Sequence, residues 1–365
     1  MIDSSVFHRL RGIGLAPALL QHWALQAPAS ETQNNATLMR VTEVQREGLR
    51  QHDGVSEQPA RLLPALRTRL ADEADAIAVG DWVLAERNGF GEWWAHQRLP
   101  PLNQLARRLH DGRDKVARVV IVSNVDTALL VMGLDHDFNL RRLERYVALV
   151  RTAGVAGVVV LTKKDLVAQA QAQAQTQAVR AMLPPDVPVL AVNALGDEPR
   201  GQLAPWLQPA QTLVLLGSSG AGKSTLTNAL LGAAVQDTGA SREGDNRGRH
   251  TTTTRTLHTT AEGSCIIDTP GLRTLRLDGD AAELGAAFDD ITRLAPLCRF
   301  RDCQHEAEPG CAVLDAVSAE RLRNYRKLLR EARRDTLTAL QRKGQLQQWK
   351  ARSRGVRERL QNKRG

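Results

Sequence analysis

Eight consecutive residues, Gly217-Ser218-Ser219-Gly220-Ala221-Gly222-Lys223-Ser224, constrain the fold of this chain more than any other stretch. They follow an apolar run at 212–216 and open a segment that carries Leu226, Ala229 and Leu230 on one helical face. Such a loop has a purpose only between a buried strand and a helix N-terminus. Its glycines let successive backbone N–H groups turn inward on an anion, and the helix end adds partial positive charge. The expected context is a parallel α/β sheet with a phosphate site at a strand's C-terminal end. Lys223 then reaches the β- and γ-phosphates, Ser224 ligates magnesium, and Thr225 belongs to the same nucleotide-binding set. A glycine-rich turn without a ligand is the plain alternative, and the strand and helix flanks argue against it.

Downstream, Ile266-Ile267-Asp268-Thr269-Pro270-Gly271 puts an acid at the end of an apolar strand, followed by a turn that exposes the Gly271 N–H. Asp268 can hold the magnesium shell, and the Gly271 amide can sense a γ-phosphate. Between the two motifs lies Gly248-Arg249-His250-Thr251-Thr252-Thr253, in a polar stretch with little to bury. A segment of this kind orders on its ligand, and one of Thr251 and Thr252 is expected to complete the magnesium coordination. A hydroxyl-rich strand start is the alternative. Leu272 follows Gly271 directly and cannot orient a water by hydrogen bonding, so slow unaided hydrolysis is expected. His250 is the candidate catalytic residue, against the reading of a solvated loop histidine.

The base is read upstream. Thr162-Lys163-Lys164-Asp165 follows the apolar run 155–161 and fits the pattern Asn/Thr-Lys-x-Asp. A carboxylate at Asp165 accepts from guanine N1–H and N2–H, a pair that adenine does not offer, and Lys163 lays its stem over the base plane. The next strand, 187–192, closes on Val192-Asn193-Ala194, a plausible backbone support for the base. In ordinary GTPases the phosphate loop comes first and the base reader last; here the reader comes first. A parallel sheet tolerates that order if old termini were close enough to join.

Around this core the sequence divides into four parts. Residues 1–35 show no clear period and read as a mobile extension. Residues 36–112 carry short β-like pieces broken by glycines, which fits a small barrel. Residues 113–277 alternate strand and helix, with runs at 116–122 and 155–161 opening the parallel sheet and 167–182 forming an exposed helix. Residues 278–365 form a mostly helical module. In it, Cys298, Cys303, His305 and Cys311 supply three thiolates and an imidazole, a closed tetrahedral set for one structural zinc ion. A disulfide among them is unattractive in a charged segment and a reducing compartment. Cys265, within an apolar strand, reads as core.

The formal net charge is +9, and the chain from Arg321 onward is dense in cations, including Arg323, Arg326, Lys327, Arg330, Arg333 and Arg334. Binding to a phosphodiester backbone is the expected use, with Trp82, Trp93 and Trp94 in the barrel available for base stacking or for packing. No apolar run is long enough to cross a bilayer and no secretory signal is recognisable, so a cytoplasmic monomer without membrane contact is expected.

The motif order, with the switch residues 248–253 and 268–271, resembles the RsgA (YjeQ) family of ribosome small-subunit-dependent GTPases. The resemblance runs from about residue 36 into the C-terminal helices and includes Val79-Gly80-Asp81-Trp82-Val83, Ser123-Asn124-Val125-Asp126 and Leu143-Glu144-Arg145-Tyr146. It implies an OB-fold barrel, a circularly permuted GTPase domain and a zinc module. It also implies GTP hydrolysis to GDP stimulated by the small ribosomal subunit, contact with its rRNA late in assembly, and the same role for His250. Thr162 stands where many relatives carry Asn. Two other readings stay open from the residues alone: a P-loop ATPase or kinase, and a non-catalytic RNA-binding module that holds nucleotide as a structural ligand.

Overall fold

A computed structural model describes residues 3–26, 36–73, 75–110, 116–233, 255–269, 284–285 and 288–336. The described residues up to 107 and from 119 to 269 form one compact unit; those of 108–118 and from 284 onward form a second.

The first unit starts with two helices where the sequence predicts a mobile extension. Helices α1 (Ser4–Arg11) and α2 (Pro17–Gln26) bury Leu10, Ile13, Leu15 and Leu19 around Trp82. Two of those apolar residues, Ile13 and Leu15, lie in the connection between the helices. The apolar face is thus shared by two short helices and a loop, so no single helical period runs through it. Trp82 is fully buried, edge-on to Trp23 at 6.1 Å between ring centroids and 5.5 Å from the Arg40 guanidinium carbon. It packs, and cannot stack on a base.

The barrel is formed by β1 (Thr37–Val44), β2 (Leu49–His52), β3 (Glu57–Leu62), β4 (Trp82–Arg87) and β5 (Trp93–Arg98), in the order β1-β2-β3-β5-β4, and β4 closes back onto β1. Met39, Val41, Leu49, Val83, Ala85 and Ala95 fill it, capped by Leu66 and Leu70 of α3 (Pro64–Asp72). Closure leaves no free edge to aggregate.

Strands β6 (Gln104–His110) and β7 (Val116–Ser123) pair with each other in a separate two-stranded sheet. This departs from the expectation that 116–122 opens the parallel sheet. The opening strand is instead β8 (Thr127–Gly133), whose seven residues are all buried. Both runs are mostly apolar, with Arg118 the one charge in the first, so periodicity does not tell a strand of the two-stranded sheet from a central strand of the parallel one.

From β8 the chain follows the expected alternation: α4 (Leu140–Thr152), β9 (Ala156–Thr162), α5 (Gln169–Met182), β10 (Val189–Ala191), α6 (Glu198–Leu203), β11 (Thr212–Leu216) and α7 (Lys223–Leu231), then β12 (Thr256–Thr259) and β13 (Cys265–Asp268). The spatial order is β10-β9-β8-β11-β13-β12. All pairs are parallel except those of β12, which runs antiparallel to β13 and to barrel strand β1. Barrel and GTPase strands therefore share one sheet. Leu129, Val158, Leu213, Leu215 and Ile266 meet Leu226 and Leu230 of α7 in the core. That packing presents the C-terminal ends of β8, β9, β11 and β13 to one edge, the usual ligand edge of an α/β sheet.

The second unit contains α8 (Asp289–Leu294), α9 (Ala312–Ala316) and α10 (Ala319–Thr336). Phe288, Ile291, Val313, Leu322 and Leu328 are buried in it. Arg321 forms a two-pronged ion pair with Asp290, at 2.6 and 2.8 Å, and its guanidinium lies 4.9 Å from the Phe288 ring centre.

Candidate functional site

Strand β9 ends on Thr162, and the chain turns sharply there because Lys163 adopts φ +60° before a 3-10 turn over Lys164–Leu166. The Thr162 side chain is fully buried, and its hydroxyl donates to the Ala221 carbonyl of the phosphate loop at 2.6 Å. Gly222 (φ +92°) passes so near that a Cβ on it would stand 3.2 Å from the Thr162 hydroxyl oxygen. The segments 162–165 and 217–224, expected to read the base and hold the phosphates, are thus joined in space.

Asp165 is exposed and forms no hydrogen bond among the described residues, so its carboxylate is free to accept. Lys164 pairs with Glu198 at 2.9 Å, whose other oxygen accepts from the Asn193 N–H at 3.0 Å. The expected support loop at Asn193 is therefore braced, through Glu198, from Lys164 of the 162–165 segment.

In the phosphate loop, Lys223 is buried and donates to the carbonyls of Gly217 (3.1 Å) and Ser218 (2.7 Å). Burial lowers its pKa, while Asp268 and Asp137 oppose that shift. Gly217 must lack a side chain, because a Cβ would meet the Val131 carbonyl oxygen at 2.5 Å. Gly220 and Gly222 take φ of +81° and +92°, which glycine adopts without strain. Ser219 and Gly220 complete the loop, and Ser224 and Thr225 stand in the first turn of α7, half-buried.

Asp268 ends β13 with 4% exposure, and its Oδ1 has no hydrogen-bond partner among the described residues. Burial raises its pKa, against the opposing Lys223 charge. A buried, unpartnered carboxylate oxygen at the ligand edge suits a hard cation that takes oxygen ligands, and Ser224 offers a second oxygen. Magnesium fits this pair. His250, Thr251, Thr252 and Gly271 lie outside the described residues.

In the second unit the four predicted ligands converge, all their donor atoms within 4.8 Å of one another. Cys298 Sγ is 3.7 Å from Cys311 Sγ and 3.6 Å from His305 Nδ1, and His305 Nδ1 is 3.4 Å from Cys311 Sγ. A tetrahedron with metal–sulfur bonds of about 2.3 Å has sulfur–sulfur edges of about 3.8 Å. The donor set therefore has both the chemistry and the spacing of a closed metal site. His305 reaches it through a φ of +58°, and Cys311 caps α9 by accepting from the Leu314 N–H.

Residues 100–278 match the RsgA GTPase family. The protein named small ribosomal subunit biogenesis GTPase RsgA 2 of Vibrio vulnificus is 43% identical over 278 residues, spanning 74% of this chain and 77% of the relative. The chain belongs to the RsgA GTPase family. A second RsgA, from Xylella fastidiosa strain M23, is 46% identical over 274 residues, 73% of this chain and 79% of its own length. Two solved structures share the fold. YjeQ from Thermotoga maritima aligns with a TM-score of 0.59 at 23% identity, over 81% of this chain and 98% of its own. YloQ, titled a circularly permuted GTPase, aligns at 0.57 and 22% identity, over 85% and 100%.

Two residues at the RsgA-family site escape the sequence reading. Asp135 accepts from Lys163 Nζ at 2.7 Å, and Asp137 accepts from the Ser218 hydroxyl at 2.5 Å. Their signal was positional: two acids between the end of an apolar run and the helix cap Asn139. It becomes readable only when β8 is recognised as a central parallel strand.

Proposed function

We propose that this chain binds GTP with Thr162, Lys163, Asp165 and the loop 217–225, and hydrolyses it to GDP while associated with the small ribosomal subunit, late in that particle's assembly. The observation that carries the reading is the Thr162 to Ala221 hydrogen bond. It joins a guanine-type reader to a Walker loop in the permuted order, and relatives above 40% identity with the same span are named small ribosomal subunit biogenesis GTPases.

In this reading Asp165 holds the guanine edge, the loop N–H groups and Lys223 hold the phosphates, and Ser224, Asp268 and one of Thr251 and Thr252 hold magnesium. Magnesium, when bound, offsets charge on the β- and γ-phosphates. On nucleotide entry, Lys223 exchanges its two loop carbonyls for phosphate oxygens, so the loop is held open beforehand by its own lysine. His250 orients the attacking water, because Leu272 cannot. Zinc at Cys298, Cys303, His305 and Cys311 has no open position and keeps the C-terminal unit folded. The cations of α10 and of the residues beyond it grip rRNA, and the chain acts as a cytoplasmic monomer.

The test is GTP turnover with and without purified small subunits. Strong stimulation, together with GDP bound in preference to ADP, supports the reading. Unstimulated turnover or a preference for ADP refutes it.

A further inference from the structure

The nucleotide site has an unexplained support. At the end of β8 the chain runs Gly133-Leu134-Asp135-His136-Asp137 before helix α4 begins. Its two carboxylates face different partners from remote parts of the chain. Asp135 Oδ2 takes the Lys163 ammonium at 2.7 Å, and its Oδ1 takes the Asp137 N–H at 3.1 Å. Asp137 Oδ1 takes the Ser218 hydroxyl at 2.5 Å and the Arg142 guanidinium at 2.5 Å, and its Oδ2 takes the Gly133 N–H at 3.0 Å. Arg142 also donates to the Asp137 carbonyl. His136, between them, is exposed, and its Nδ1 lies 3.2 Å from Asp135 Oδ2.

We propose that this turn is a positioning clamp that ties the base-reading lysine to the phosphate-binding loop. It rests on the nucleotide reading above and deepens it. Three observations argue for a built device. First, Asp137 is 8% exposed, and the hydrogen bonds above engage both of its oxygens, so it is fixed before a ligand arrives. Second, the turn closes only because residue 133 is glycine: a Cβ there would come within 2.5 Å of Asp135 Oδ1, 3.3 Å of Asp137 Cβ and 3.3 Å of Lys163 Cδ. The stem that must lie across the base therefore passes over the one residue with no side chain. Third, Asp137 is one of two carboxylates that favour the charged form of the buried Lys223. A single turn thus touches the base reader, the loop's first hydroxyl and the field at the phosphate lysine.

The two acids have separable jobs. Asp135 acts on the nucleotide through Lys163, and so through the base, while asparagine at this position keeps an oxygen for the Asp137 N–H. Asp137 acts through Ser218, and so through the phosphates. Binding is measured by calorimetry with two probes, GDP and inorganic pyrophosphate, on the full chain with magnesium. Asp135→Asn is expected to weaken GDP about tenfold, the usual loss when a charge-assisted hydrogen bond becomes neutral, and to leave pyrophosphate unchanged. Asp137→Asn is expected to weaken both probes by about the same factor. Ser218→Ala should reproduce Asp137→Asn from the other side of the bond, and the double variant should be no worse than Asp137→Asn alone. Ser218→Ala by itself, which leaves the Asp137–Arg142 pair in place, keeps the test decisive if Asp137→Asn folds poorly: it should weaken both probes by the same factor, and an unchanged affinity overturns the clamp. Equal losses on both probes for Asp135→Asn, or additive losses for Ser218→Ala with Asp137→Asn, overturn the clamp. A wild-type chain that binds pyrophosphate but no guanine nucleotide overturns the guanine reading instead, and the clamp with it.

Discussion

Replacing Thr162 with valine removes one hydroxyl and almost no volume, so the perturbation falls on the short bond to Ala221 and a long 3.5 Å contact with the Met132 carbonyl. In the native chain that hydroxyl lies 2.6 Å from the Ala221 carbonyl, with the side chain fully buried. A buried carbonyl left without its donor costs about 1–3 kcal/mol. If the whole cost falls on the nucleotide-bound loop, GDP affinity drops by about 5- to 150-fold. If it falls on the folded chain without ligand, the unfolding free energy drops by the same amount and the affinity holds. Fluorescent GDP titration and thermal unfolding without nucleotide, performed together, apportion the cost. Thr162→Asn retains a donor for Ala221 and should bind nearer to wild type, provided the amide fits beside Gly222. A valine variant with unchanged affinity and unchanged stability refutes the claim that this bond couples the reader to the phosphate loop.

Three further outcomes are expected. Burial pushes the Asp81 carboxyl up to about 6, whereas an unfolded aspartate titrates near 3.9. The unfolded chain loses that proton first, so this group costs stability progressively from about pH 4 to 6 and a constant amount above. Asp81→Asn keeps an oxygen for the Ala78 N–H and should be more stable at pH 7.5 by about 1–3 kcal/mol, with a flatter stability profile over pH 4–6; an unaltered profile in chemical denaturation refutes it. Atomic absorption should find one zinc per chain, Cys303→Ser should lose it, and chelation should melt helical signal; retention of metal by the serine variant contradicts the four-ligand site. His250→Ala should abolish subunit-stimulated turnover while GDP affinity stays unchanged, and surviving stimulation removes His250 from the catalytic role.

Much of the nucleotide site is legible because its parts are local. A phosphate loop needs glycines at fixed offsets, a strand before it and a helix after it, all within about twenty residues. Asp268 at a strand end and the metal quartet 298–311 are legible for the same reason, since ligand types and spacings are set by covalent reach. The inverted order of reader and loop can be read as a permutation because each motif carries its own chemistry. The barrel is legible from short strands between glycines, and the Thr162 motif from the strand before it.

The remaining features depend on which buried surface an element meets, which no local pattern records. Two mostly apolar runs became a strand of a two-stranded sheet (β7) and a central strand of the parallel one (β8), and the burial of every residue of β8 is what its place in the sheet produces. Residues 4–26 look patternless because their apolar side chains serve a tryptophan more than fifty positions away, and Trp82 was therefore removed from the surface. Asp135 and Asp137 acquire meaning only when the sheet brings Lys163 and Ser218 to the end of β8. The sequence alone thus determined the local motifs: the donor types, their spacing, and the strand or turn that carries each. Tertiary structure decided the couplings between sites, because these run through hydrogen bonds across 28 to 81 positions of chain and exist only once the core has closed.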